Sequence, residues 1–569
     1  MKRAAALLLI PFAAALLSSL PVLRAEFVLD DVDTQMQMVS SHGGLALLLE
    51  RRWGWIFRPV TTLTVLADEQ LNELLLGPPR LAAAYRLDAR RAMIPHATSL
   101  LLHALTAGVV AWLASLVLGY RPGAWAGSLT AGLVFALHPV HSENIAWISG
   151  RADTLCALLL CSSLALALLA RERRSRWLLS GAAATFLAAL LAKEFAVSGL
   201  LLLPLCLWMK PDEGEDRWPG WLPAAFFGGA LAAYAALRLA AAATITVDNV
   251  PSTATAALRL AQAAGFYGWK IFLPWPPTPY VVVLPGALHT GVGLALVAAA
   301  VAGSLAALRR GDRLYLFCSA WFIVACGQPL LGAIWHYTAN PVAERYLYLP
   351  SAGFAIALGG LMARAAVPRL RPRVAAALAT GLSLYAGGCW YAADRIWRSN
   401  RTLSDAMIRQ SLSNVHPLPW IYLASDYERN GRLEEADLAY RRALAPGVIP
   451  IPVLQTLAAT SLGDLARRRL KLSTDRGDIP GAIAASRDAE SGYARATEIE
   501  PQNWRHWQNL AETRLQRARL LRESGAPTEQ GLVEKAGYNL AFGLRLSPGN
   551  PQLLQLKERY RELGGSATF

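Results

Sequence analysis

For its first two thirds the chain alternates between long apolar runs and short polar breaks. Apolar runs occupy residues 4–23, 95–118, 123–139, 153–170, 177–192, 196–209, 221–243, 289–308, 314–334, 351–366 and 374–392. A helix rises about 1.5 Å per residue, so roughly 20 apolar residues cross a hydrocarbon core about 30 Å thick. The pattern predicts about eleven spans, with those between 177 and 209 short enough to be tilted or broken. The first run follows Lys2-Arg3 and exceeds the usual apolar length of a signal peptide, so it reads as a retained span. Residues 266–280 differ. Pro274, Pro276, Pro277 and Pro279 forbid a regular crossing helix there, and Tyr267, Trp269, Trp275 and Tyr280 predict an interfacial helix followed by an irregular loop.

Beyond residue 392 the pattern becomes mixed in charge and helix-favouring. Trp420, Leu423, Ala424, Tyr427, Ala436, Tyr440 and Ala443 follow the tetratricopeptide spacing, in which small residues admit a partner helix and aromatics fill the gap. Two expanded units follow, one ending Ala489, Tyr493, Ala496 and Pro501, the other running from Trp507 to Pro548. Both are expected to carry extra residues between their helices, near 471–481 and 522–530. The expected organisation is therefore a membrane domain over 1–392 and an α-solenoid over 393–569, all-α throughout.

Composition supports this division. Apolar residues make up 54% and charged residues 17% of 569 positions, against about 45–50% and about 25% in soluble domains. The first part holds 30 basic and 20 acidic residues, the second 25 and 20, with no basic run of the kind that binds nucleic acid. The basic residues instead read as topology. Arg171–Arg176, Arg309–Arg313 and the 364–373 stretch lie in short loops and predict a cytoplasmic side, together with Lys2-Arg3. Loops 24–94, 140–152, 244–288 and 335–350, and the C-terminal domain, then face outward. The Ala-, Leu- and Arg-rich composition suggests a bacterial inner membrane. All six cysteines fall in apolar runs, where they read as packing residues.

Ionisable residues beside membrane spans are costly to keep, so each cluster of them is a candidate site. Asp30-Asp31 follows the first span; mutual repulsion can raise one carboxylate and poise it as a base, or the pair can be a solvated acidic loop. His138, His141 and Glu143 could ligate a metal or close a hydrogen-bonded loop, with Arg151 and Asp153 paired locally. Lys193-Glu194, at a break between short spans, reads as a self-neutralising pair or as site residues. Glu344-Arg345-Tyr346-Leu347-Tyr348 sets an arginine and two tyrosines beside a span, suited to a phosphate or to plain interfacial snorkelling.

These clusters, in this order and followed by the repeats, resemble the transmembrane and tetratricopeptide-repeat O-mannosyltransferase family of the GT-C glycosyltransferase superfamily. The matching pieces are Asp30-Asp31, Phe57–Leu63 with Arg58-Pro59, Phe135–Glu143, Gly150–Asp153, Lys193-Glu194 and Val342–Pro350. The resemblance implies a GT-C-like bundle that moves a mannose-like sugar from a polyprenyl-phosphate donor to a protein or glycan hydroxyl at the outer face. It implies inversion, with Asp31, or Asp30, as general base. Arg345, with Arg58, Lys193 and Tyr348, would hold the donor phosphate; His138, His141, Glu143, Arg151, Asp153, Glu194 and Glu344 would support the loops. No cofactor is expected, although a divalent metal occurs in this superfamily; no dedicated ligand set is visible here. Two other readings compete. A membrane-anchored scaffold would recruit partners through the repeats, and a transporter would want its charges near the bilayer midplane instead of at one rim.

Overall fold

The computed structural model describes residues 2–31, 56–77, 90–119, 123–210, 219–241, 251–335, 340–364, 372–410, 415–527 and 529–566. Every regular element among them is a helix. The chain divides into two compact units, Met1–Leu403 and Ser404–Phe569.

The first unit contains α1 (Lys2–Ser19), α2 (Pro59–Leu76), α3 (Arg90–Leu118), α4 (Ala124–Leu137), α5 (Arg151–Arg173), α6 (Arg176–Ala192) and α7 (Gly199–Met209). It continues with α8 (Trp221–Ala240), α9 (Thr253–Phe272), α10 (Ala287–Arg310), α11 (Arg313–Trp335), α12 (Tyr348–Arg364) and α13 (Pro372–Trp397). Seven described segments are long and apolar enough to cross a membrane: those of α1, α3, α5, α8, α10, α11 and α12. Three more, over α4, α6 and α7, are apolar but shorter. With α13, each expected apolar run coincides with a helix. The protein is a polytopic helical membrane protein.

Local chemistry explains several boundaries. Pro95 lies inside α3 and offers no N–H to the carbonyl of Arg91, four residues earlier. Asn72 Nδ2 donates to that carbonyl instead, at 2.9 Å, so a side chain of α2 repairs the ladder of α3. Ser175 caps α6 by accepting from the Leu178 N–H. Helices α4 and α12 cross at Gly127 and Gly359, where a Cβ on either would strike the other's carbonyl oxygen. Small residues permit such close approach in membrane bundles. The buried core of this unit includes Phe135, Phe186, Phe227, Phe317, Trp321 and Tyr348. All six cysteines are buried and unbridged. Helix α9 ends at Phe272, and the proline-rich stretch beyond it stays irregular until α10, as its composition predicts.

The second unit is built from helices that pack on their neighbours in sequence. They are α14 (Asn400–Arg409), whose start belongs to the first unit, then α15 (Pro417–Arg429), α16 (Leu433–Ala443), α17 (Pro452–Asp475), α18 (Ile479–Ile499), α19 (Trp504–Ser524), α20 (Leu532–Leu546) and α21 (Pro551–Glu562). Ala424, Ala436, Tyr440 and Ala443 share one core; Ala466, Ala489, Tyr493 and Leu510 form the next. The extra residues expected between paired helices mostly lengthen them: α17 runs to Asp475 and α19 to Ser524.

Candidate active site

The site forms where the first-span loop meets the 138–153 turn, the N-terminus of α2, the α6–α7 break and the start of α12. Leu29 takes a left-handed conformation, φ +53°, which is costly for a side chain with a branched Cγ. Its N–H is held by Asn400 Oδ1 at 2.8 Å, and the turn aims the two following carboxylates at different partners. Val32 and Asp33, which continue this acidic motif, lie outside the described residues.

Asp31 is fully buried, and both its oxygens are engaged by backbone: Oδ2 accepts from the Val28 N–H and Oδ1 from the Ser149 N–H, each at 3.1 Å. Asp30 remains partly exposed, and its Oδ1 accepts from the Trp147 indole N–H at 2.9 Å. Burial pushes the Asp30 carboxyl above its ordinary range, with the Trp147 hydrogen bond opposing. Burial, followed by the charge of Asp30, pushes Asp31 further still. Asp31 clamps its own loop to the 148–149 turn, and Asp30 is the more exposed carboxylate of the pair.

Around this pair the buried charges are matched one to one. Arg345 Nη1 lies 2.5 Å from Glu143 Oε1, and its backbone N–H donates to Glu143 Oε2. Arg58 forms a two-pronged bond to Glu194, at 2.5 and 3.0 Å. Lys193 pairs with Asp153 and Arg151 with Asp68, both at 2.6 Å, and Lys270 pairs with Glu344 at 2.7 Å. Asp30 and Asp31 carry no salt bridge among the described residues.

Two expected pairings are corrected here, each for a geometric reason. Lys193 does not neutralise Glu194. Its backbone is extended, φ −159° and ψ 138°, so these successive side chains leave on opposite sides and find Asp153 and Arg58 respectively. Arg151 does not pair with Asp153, because residues two apart on a helix do not face each other. Its guanidinium reaches α2 and α3 instead, through Asp68, Thr64, Ser99 and the Pro95 carbonyl.

His138 and His141 both bond to neighbouring elements of the bundle. His138 Nε2 bonds the Ile271 carbonyl and Nδ1 accepts from the Val140 N–H, so both ring nitrogens are engaged and neither faces a metal. Burial lowers its pKa to about 4, which keeps the ring neutral. His141 bonds Ser351 Oγ at 2.9 Å, and Glu143 is the partner of Arg345 rather than a third ligand. Among the described residues no group of three or more His, Cys, Asp or Glu is arranged to hold a metal ion.

Trp147, not singled out from the sequence, and Tyr346, one of the two tyrosines that were, tie the layer together. Trp147 donates to Asp30 while the Arg345 guanidinium lies over its ring, 4.8 Å from the centroid. Tyr346 accepts from Arg345 Nη2 at 3.1 Å and has Lys193 Nζ 5.3 Å from its ring centroid. Tyr348 is buried elsewhere in the bundle, its hydroxyl 2.8 Å from His103 Nδ1, so Tyr346 is the tyrosine beside the cations. An interfacial tryptophan in the 138–153 turn was the available sequence signal for Trp147.

No family model matches the chain. It is 40% identical over 124 residues to the Drosophila melanogaster protein O-mannosyl-transferase Tmtc1, a stretch covering 21% of this chain and 14% of that protein. It is 37% identical over 126 residues to Drosophila melanogaster Tmtc2, covering 21% and 13%. Against human TMTC2 it is 41% identical over 69 residues, covering 12% and 8%. The chain is thus similar to transmembrane and tetratricopeptide-repeat O-mannosyltransferases over about a fifth of its length, and the matched stretch is a small part of each relative.

Proposed function

We propose that this chain is an integral-membrane glycosyltransferase that moves a mannose-like sugar from a polyprenyl-phosphate donor to a hydroxyl of a protein or glycan acceptor. The observation that carries the reading is the charge pattern of the site: each buried cation of the layer has its own carboxylate, and the adjacent pair Asp30-Asp31 is left over, with Asp30 partly open. A carboxylate that is raised, accessible and held by one neutral donor suits a general base. Similarity to proteins named O-mannosyl-transferases supports the same class.

In this mechanism Asp30 takes the proton of the acceptor hydroxyl as its oxygen attacks the anomeric carbon. The sugar–phosphate bond breaks on the opposite face, and the configuration inverts. Negative charge gathers on the departing polyprenyl phosphate. Arg345, Arg58 and Lys193, with the Tyr346 hydroxyl, supply N–H and O–H donors toward it. Their carboxylate partners keep these donors fixed, so little reorganisation is required as charge develops. Arg58 is the most open of the three cations, its side chain retaining 18% exposure, and is the first point of contact for an arriving phosphate. No step uses a metal.

The second unit we assign as a tetratricopeptide-like array that presents or recognises the acceptor. The positive loops support an orientation with the N-terminus in the cytoplasm and the site and repeats outside, in the periplasm of a bacterial inner membrane. The test is transfer of labelled mannose from polyprenyl-phosphate-mannose to hydroxyl-bearing peptides by the purified protein. Loss of transfer in Asp30→Asn supports the reading. Wild-type rates in Asp30→Asn and Asp31→Asn would return weight to a scaffold that works through its repeats alone.

A further inference from the structure

Connecting segments normally run over the surface, where water satisfies their backbone. The irregular segment after α9 does the opposite: Pro277, Thr278, Pro279 and Val281 are all buried. It is anchored on both sides of Tyr280. On one side the Thr278 N–H donates to Glu344 Oε1 at 2.8 Å, and Glu344 is paired with Lys270, whose Nζ also donates to the Pro276 carbonyl. On the other the Val281 carbonyl accepts from Asn340 Nδ2 at 3.0 Å, while Asn340 Oδ1 lies 3.5 Å from Arg345 Nη2. Between these anchors Tyr280 is half-buried and takes φ +54°, a left-handed conformation that is costly for any residue with a Cβ. Among the described residues only Leu29, Arg174 and Tyr280 are non-glycine residues with positive φ. Arg174 is an ordinary left-handed cap that ends α5. The other two converge on the site: Leu29 directly precedes Asp30, and Tyr280 is tied through Asn340 to Arg345.

We propose that Tyr280 contacts the transferred sugar, its phenol hydrogen-bonding a ring hydroxyl, and so discriminates among sugars. This rests on the glycosyltransferase reading above and deepens it. Inversion puts the base and the departing phosphate on opposite faces of the sugar, so a side chain that interacts with both Asp30 and Arg345 stands beside the sugar itself. Tyr280 is placed in this way. Burial pushes its phenol up to about 12, with Arg345 opposing and Asp30 and Tyr346 adding to the shift. The phenol therefore stays protonated near neutral pH, and it can both donate and accept. A neutral group of that kind suits a sugar hydroxyl, whereas the charged groups around it suit a phosphate or an acidic proton. Strained backbone persists only where its surroundings over-determine it, and the two anchors do this for residue 280. They also fix the direction of the ring before the donor arrives, so little ordering is needed on binding.

The test measures equilibrium binding of two labelled lipids, polyprenyl-phosphate-mannose and bare polyprenyl phosphate, to the full chain in phosphatidylcholine–phosphatidylglycerol nanodiscs. Tyr280→Phe keeps the ring and removes only the hydroxyl. It should bind the mannose-bearing lipid about 2- to 10-fold more weakly than wild type, the loss of one hydrogen bond, and bind the bare lipid as wild type does. The bare lipid uses the same cation layer, so its affinity also reports that the variant is folded. Equal weakening of both lipids in Tyr280→Phe would overturn the proposal, because the hydroxyl would then serve the phosphate or the fold. So would an unchanged affinity for the mannose-bearing lipid. A wild type that binds neither lipid would defeat the glycosyltransferase reading itself, and this inference with it, so the two failures are told apart.

Discussion

Lys193 adjoins Glu194 in sequence but is bonded to Asp153, 40 residues away, and this gives a sharp energetic prediction. At 2.6 Å and an effective dielectric of about 20, the Lys193–Asp153 attraction is about 6 kcal/mol before desolvation is counted. Both side chains are less than a tenth exposed, so desolvation offsets much of that attraction. Asp153→Asn strands a buried ammonium and should destabilise the first unit by about 3–5 kcal/mol. Lys193→Met should cost a similar amount, because it strands the carboxylate. The double variant removes both charges and should cost about 2–3 kcal/mol less than the sum of the singles. The matching cycle for Lys193 and Glu194 should give under about 1 kcal/mol, because their side chains leave an extended backbone on opposite sides. Reversible unfolding in mixed micelles measures all of these terms. A Lys193–Glu194 coupling larger than the Lys193–Asp153 coupling would refute the pairing and the charge pattern built on it.

Trp147→Phe removes one hydrogen bond to a charged group, worth about 1.5–3 kcal/mol, and should slow transfer roughly 10- to 150-fold. That bond favours the ionised form of Asp30, so the variant's pH–rate profile should also shift to higher pH, which a purely structural lesion would not produce. Glu69 titrates near 7 in the folded protein against 4.5 when unfolded, so the unfolded state releases its proton first as pH rises. Stability from this group is therefore present below pH 4.5 and is lost between about 4.5 and 7; Glu69→Gln should flatten that slope in melts taken across the range. Gly359→Val would drive a side chain into the Gly127 carbonyl and should lower the melting temperature. Ala357→Val, two residues away on the same helix and half-buried, should be milder.

Much of this architecture is legible from hydropathy alone, because each apolar run had only helical ways of satisfying its backbone in lipid. The polar motifs were legible too, since charge beside a span is rarely kept without use. What the sequence conceals is partnership. Arg151 with Asp68, Arg345 with Glu143 and Lys193 with Asp153 are separated by 40 to 202 residues, and only the packed bundle brings them together. Adjacent opposite charges such as Lys193-Glu194 invite a local pairing that an extended backbone forbids. Helix α2 escaped notice for a related reason. Its polar residues point inward and its leucines outward, so its pattern resembles neither a span nor a water-facing helix.

The central claim is that Asp30, the open member of the carboxylate pair, activates an acceptor hydroxyl against a polyprenyl-phosphate sugar. The direct measurement is single-turnover transfer of labelled mannose from the lipid-linked donor, comparing wild type, Asp30→Asn and Asp31→Asn under conditions where donor binding is measured separately. The account predicts that Asp30→Asn binds donor normally and transfers about 10²–10⁴-fold more slowly. Asp31→Asn should lose activity together with thermal stability, as its loop clamp loosens. Unimpaired transfer by a well-folded Asp30→Asn protein would contradict the account.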